Sequence, residues 1–92
     1  MITIFDYTDF RKFLSDYHEE MKKENPRFSY RFLCTQGGIN PGNFTRILKG
    51  ERNLTLPSAI RLARVLRLNK RERDYFQSMV LFCQAKNHEE KR

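Results

Sequence analysis

The chain has 92 residues, 39% of them apolar, with eight Phe, four Tyr, no Trp and a net charge of +7. That length supports one domain, residues 1–92, with a small core; it excludes a second independent core and a large enclosed substrate cavity. No apolar run approaches about 18 residues, and MITIFDYTDF lacks a basic start before a long apolar stretch, so no membrane span or signal peptide is expected and the chain reads as cytoplasmic.

Strand signal is confined to ITIF, residues 2–5, where a short extended segment is expected. A first helix follows, from Asp6 or Thr8 to Glu24, with Phe10, Phe13, Leu14, Tyr17 and Met21 on one face. With Asp6 as N-cap, Phe5 and Phe10 have the spacing of a hydrophobic staple. Asn25-Pro26 stops this helix, because the proline ring pushes the preceding residue out of helical geometry. A second helix starts at Ser29, a good capping residue, with Phe28 and Leu33 at staple spacing. It ends at Gly37-Gly38, where glycine readily takes the left-handed conformation.

Asn40 caps a third helix, and Pro41 takes the first helical position, where its missing N–H costs nothing. Ile39 and Phe44 again have staple spacing, and the helix runs to Lys49 before Gly50. After the polar ERNLT, Thr55 caps a fourth helix reaching about Arg67, with Pro57 in its first turn. Asn69 and Glu72 have capping-box spacing for a fifth helix to about Ala85, whose broad apolar face carries Tyr75, Phe76, Met79, Val80, Phe82 and Cys83. Residues 86–92 are expected to be a frayed or truncated tail.

Cys34 and Cys83 stand alone, and His18 and His88 are equally isolated, so neither a metal nor a cofactor is expected. Both cysteines read as small buried apolar residues of a reducing compartment. There is no nucleophile–base arrangement, and GGINPGN is not a phosphate-cradling loop with a following lysine, so an enzyme is not expected.

The positive charge is concentrated. Residues 29–73 carry ten Lys or Arg against Glu51 and Glu72, whereas the segments on either side are near balance. That is the footprint of a polyanion partner, the alternative being a solvated basic surface. Two short helices separated by a glycine turn, the second basic, outline a helix-turn-helix. Cys34 supplies the small residue where the helices cross, Gly38 the turn, and Leu33, Ile39, Phe44 and Ile47 the flanking core. Gly37 departs from this pattern and is expected to leave a core-facing position empty.

On a helical wheel Phe44, Ile47 and Leu48 face the core. Gly42, Arg46 and Lys49 lie opposite, flanked by Asn43 and Thr45, on the side a recognition helix turns into the major groove. Arg46 matches guanine O6 and N7, Thr45 a thymine methyl or a phosphate, and Asn43 an adenine or a phosphate. Pro41 and Gly42 bring almost no side chain to the first turn, and Gly42 offers a close backbone approach instead. The helix starts at Ser29 and Asn40 offer N–H groups to phosphates, with Tyr30 and Arg31 nearby. Ser29, Asn40 and Thr55 read more readily as caps than as ligands, and Arg61, Arg64 and Arg67 as an outward stripe, solvated or facing a partner.

The stretch from Ser29 to Asn69 also resembles the Cro/lambda-repressor-like (XRE) helix-turn-helix family. The resemblance is carried by Ser29, Leu33, Gly38, Ile39, Phe44, Arg46, Ile47, Gly50-x-Arg52-Asn53, Leu56 and Leu62-Ala63-Arg64-x-Leu66. It implies an all-α, five-helix domain with its core motif at 29–69, and backbone contacts from Lys49, Arg52 and Asn53. The flanks, FDYTDFRKFLSDYHEEMKKENPRFSYR and LNKRERDYFQSMVLFCQAK, are similar to a bacterial paralogous family that joins an N-terminal helix-turn-helix to a C-terminal domain of unknown function. The expected function is sequence-specific binding of double-stranded DNA by the module of a bacterial transcriptional regulator, as a homodimer. The dimer surface would come from the fifth helix, from ITIF or from a region beyond this chain. The alternative is a protein-interaction module that keeps the fold and has only non-specific affinity for DNA.

Overall fold

Each helix starts where a polar side chain accepts hydrogen bonds from N–H groups that a first turn leaves without partners. In the computed structural model, which describes residues 2–90 and side chains through Ala85, Asp9 accepts from Arg11 ahead of α1 (Phe10–Glu24) and Ser29 from Phe32 ahead of α2 (Tyr30–Gly37). Asn40 accepts from Gly42 and Asn43 ahead of α3 (Pro41–Leu48), and Thr55 from Ser58 ahead of α4 (Leu56–Val65). At α5 (Lys70–Glu90), Asn69 and Glu72 exchange side chain–backbone bonds of 2.8 and 2.9 Å, closing the capping box.

The described residues are all helical in class, with five α-helices, one 3₁₀ turn at Ile4–Asp6 and no strand. The turn replaces the extended segment expected at ITIF. An isolated strand has no neighbour to satisfy its backbone, whereas the turn closes bonds from Asp6 N–H to Thr3 and Tyr7 N–H to Ile4. It also drives Ile4 into the core, 1% exposed. With Asp9 as the cap of α1, the Phe5–Phe10 staple does not arise; Phe5 packs edge-on against Tyr75 instead, ring centroids 5.2 Å apart. α5 extends past the expected Ala85 to Glu90, and the tail expected at 86–92 lies outside the residues whose side chains are described.

Helices α2, α3 and α4 end alike. Each closes with a 6→1 and a 5→2 backbone bond around one left-handed residue, which satisfies carbonyls the last turn leaves free. The bonds run from Ile39 to Cys34 and Gly38 to Thr35, from Glu51 to Arg46 and Gly50 to Ile47, and from Leu68 to Ala63 and Arg67 to Arg64. The left-handed residues are Gly38 (φ 68°), Gly50 (φ 83°) and Arg67 (φ 58°). Arg67 therefore ends α4 earlier than its sequence suggests, and turns the chain so that Leu66 and Leu68 both reach the core. A side chain in this conformation costs about 1–2 kcal/mol relative to glycine.

The core joins Phe10, Phe13 and Leu14 of α1 to Leu33 and Cys34 of α2, Phe44 and Ile47 of α3, Ala59, Leu62 and Ala63 of α4, and Phe76, Met79 and Val80 of α5. Burial pushes the Cys34 thiol up from its ordinary value, as fits a packing residue. Cys83 is half-buried and points its thiol at the Thr8 carbonyl, 3.0 Å away. Phe82, expected on the core face of α5, is 66% exposed. It projects a third of a turn away from the Phe76–Val80–Cys83 line, and the chain is too small to wrap that side as well.

The position of Gly37 is not empty. A Cβ there would sit 3.0 Å from Leu62 Cδ2, so α4 fills the space by bringing Leu62 against bare backbone. For Gly37→Ala, the gain of about 1 kcal/mol in helix propensity opposes a contact that Leu62 must relieve. Denaturant titration should therefore show Gly37→Ala within about 1 kcal/mol of the parent and Gly37→Val destabilised by about 2 kcal/mol or more. Equal stability of the valine variant would contradict this packing.

His18 of α1 is 4% exposed, with no hydrogen-bond partner for either ring nitrogen. Its ring stacks on Tyr30 of α2, centroids 3.9 Å apart and 16° from parallel, and Tyr30 in turn meets Phe44 of α3 edge-on. Burial lowers the His18 pKa, Lys22 adds to the effect and Glu19 opposes it. Because the folded state disfavours the imidazolium, stability is complete above the unfolded value near 6.5 and is lost as pH falls below it. The melting temperature should therefore fall more between pH 7.5 and pH 5 for the parent than for His18→Phe. Parallel pH profiles for the two proteins would refute this.

Candidate nucleic-acid interface

α2 and α3 have eight residues each, too few to be stable alone. What fixes one against the other begins with the turn between them. Gly38 reverses the chain, Ile39 enters the core, and Asn40 Oδ1 accepts from Gly42 at 2.9 Å and Asn43 at 3.3 Å. A Cβ on Gly42 would lie 3.2 Å from that same Oδ1. Glycine at this position thus leaves room for the cap, and gives up a side chain at the start of α3.

Two guanidinium groups from flanking helices hold the other ends. Arg61 of α4 donates from Nε to the Gly37 carbonyl at 2.9 Å and from Nη2 to Ser58 at 3.3 Å. Arg11 of α1 donates from Nε to the Ile47 carbonyl at 2.7 Å and from Nη2 to the Arg52 carbonyl at 3.4 Å, with its Cζ 4.6 Å from the Phe10 ring centre. Each places a cation at a helix C-terminus, where the carbonyl ends of the backbone dipoles collect. Arg61 is therefore not part of an outward stripe with Arg64 and Arg67, because it turns back onto α2. Arg11 is also missed by sequence reasoning: it lies in the charge-balanced N-terminal third, and no local spacing marks a contact 36 residues away. The loop after α3 is held again by Gln84 of α5, whose amide accepts from Leu54 N–H and donates to Leu54 C=O.

This scaffold brings five of the eleven expected contact residues together. Asn40, Gly42, Asn43, Arg46 and Arg52 line one open, shallow concavity of about 440 Å³. Among the described residues the one ion pair is Lys12–Asp16, so Arg46 and Arg52 bring unneutralised charge to it. Thr45 on α3 and Lys49, its C-terminal cap, are exposed outside this concavity, and Asn53 is exposed in the following loop. The Thr45 hydroxyl donates to the Pro41 carbonyl at 3.1 Å, which uses its proton within the helix and leaves its methyl group and a lone pair outward. The remaining three lie at the start of α2. Ser29 is a cap, Arg31 is exposed, and Tyr30 is anchored by His18 and Phe44 with its hydroxyl 3.4 Å from Ser15. Asn40 acts as a cap through its carbonyl oxygen, leaving its amide NH₂ for a partner. Chemically, the concavity can take an anionic or hydrogen-bond-accepting group of an extended partner.

Replacing either clamping arginine by methionine keeps the aliphatic stem and removes the donors. Arg11→Met and Arg61→Met should each lose about 1–2 kcal/mol of stability in denaturant titrations. Lysine at either site should recover only part of that, since a single ammonium cannot span both acceptors. Full recovery by lysine would mean that charge alone is at work. Compared with protein-family models, curated proteins and solved structures, the chain matches none.

Proposed function

We propose that this chain binds double-stranded DNA sequence-specifically as the DNA-binding module of a bacterial transcriptional regulator. In this reading α2 and α3 form a lambda-repressor-like helix-turn-helix, with α3 entering the major groove. The observation that carries it is the concavity of Asn40, Gly42, Asn43, Arg46 and Arg52, with its two arginines free of acidic partners among the described residues. Arg46 reads a base, assisted by Asn43 and by the Thr45 methyl. Lys49, Arg52, Asn53, Arg31, Tyr30, the Ser29 hydroxyl and the Asn40 amide NH₂ contact phosphates, with bare Gly42 allowing close approach. Two copies bind one site, as a two-fold operator requires.

A second reading, a protein-interaction module with only non-specific DNA affinity, is favoured by α5. Its residues Tyr75–Ala85 carry no charge, in a chain that is 32% charged, and they leave Leu81 (55%) and Phe82 exposed.

Selection from random double-stranded sequences should enrich a short motif, and absence of enrichment would favour the second reading. On that motif, Arg46→Ala should lose about 1–3 kcal/mol and relax one base step, whereas Lys49→Ala should weaken all sequences about equally. Affinity should fall steeply between about 50 and 200 mM salt, because phosphate contacts release counterions. A flat salt profile would refute the phosphate contacts.

A further inference from the structure

A second concave site lies on the other flank of α2. It has a volume of about 440 Å³ and is framed by the C-terminal half of α1, the outer side of α2 and the end of α4. Its apolar wall is made by Met21, Phe28 and Phe32, with the two Phe rings 5.6 Å apart and Phe32 left exposed. Arg64 and Arg67 face this wall, and among the described residues no acidic one lines the site. The site is distinct from the α3 concavity and shares no residue with it. Around the α2 axis, Phe32 points nearly opposite to Tyr30, the residue that packs on α3.

Three observations converge on an anionic ligand with an apolar body. The volume falls within the range of small-molecule sites. The wall leaves aromatic surface open to solvent while the rim carries two guanidiniums, neither in an ion pair among the described residues. Arg67 is also the one described non-glycine residue with positive φ, at a helix end where α2 and α3 use glycine. A position that would relax on becoming glycine, yet holds an arginine over a cleft, points to a use for that side chain. Glu20, Glu24 and Glu72 line an adjoining hollow that shares Tyr17, Met21 and Arg67 with this cleft, and none of the three lies within ion-pairing distance of Arg67.

We propose that the cleft between α1, α2 and α4 binds a small carboxylate with an aromatic or branched apolar body. The body lies against Phe28 and Phe32, and the carboxylate is held by Arg64 and Arg67. This site does not depend on DNA binding.

The test is a titration of the ¹⁵N-labelled chain with naphthalene-2-carboxylate and, separately, with the neutral 2-naphthylmethanol. The carboxylate should give saturable shifts at the Gln36 and Val65 amides, with an affinity at least about tenfold above that of the alcohol, a difference of about 1.4 kcal/mol. Arg67→Gly should raise the melting temperature and weaken carboxylate binding about tenfold, and Arg64→Gln should weaken it without the gain in stability. The comparison of the two probes on the parent protein stands whatever the variants do to folding. Equal affinity for both probes, shifts centred on Phe82 of α5, no saturable shift, or unchanged binding in a stabilised Arg67→Gly variant would each overturn the proposal.

Discussion

The contact on which the arrangement of α2 and α3 depends is a guanidinium seated on the last carbonyls of each. Helices of this length have only a few internal hydrogen bonds, and half of their backbone groups lie at an end. Their stability comes from outside: a capping side chain at the start, a left-handed residue at the close, and Arg61 or Arg11 across the end. Both arginines belong to longer neighbours, α4 and α1, so the orientation of the short pair is set by the frame around it. The core then fills in beneath, with Leu62 pressed against the bare backbone of Gly37.

This division sorts the basic residues by task. Arg11 and Arg61 are consumed by backbone carbonyls. Arg46 and Arg52 remain open on one concavity, and Arg64 and Arg67 on another. Net charge says nothing about this sorting, because a guanidinium on a helix end and one facing solvent count equally. In the DNA-binding reading, only the open group meets phosphate and base, while the consumed pair determines how firmly α3 is presented. A loss of DNA affinity on changing Arg11 or Arg61 would therefore be a loss of geometry, not of a contact.

Much of the helical frame was legible because its signals are local. Ser29, Asn40, Thr55 and the Asn69–Glu72 pair act over three residues, and each caps as its spacing predicts. Gly38 and Gly50 likewise mark helix ends by their own backbone freedom. What failed was set by tertiary context. ITIF alternates like a strand but has no strand to pair with, and Phe82 has the right residue type for a core that lacks room for it. Gly37 read as a gap because Leu62 lies 25 residues downstream. The candidate interface was legible in part for the same reason: Asn40, Gly42, Asn43 and Arg46 come from one turn and one helix. The contributions of Arg11, Gln84 and the α1–α2–α4 cleft rest on contacts that no spacing encodes.

Gln84 has a further consequence. One amide group gives Leu54 both a donor and an acceptor, which is what a neighbouring β-strand would supply. The side chain thus acts as a one-residue strand partner inside an all-helical domain, and Leu54 can be 2% exposed with its backbone still satisfied. Of the charged or polar side chains of this length, only a carboxamide offers both polarities at once; a carboxylate would leave the carbonyl unpaired and an ammonium the N–H. The passage from α3 to α4 therefore rests on the chemical identity of a residue thirty positions away.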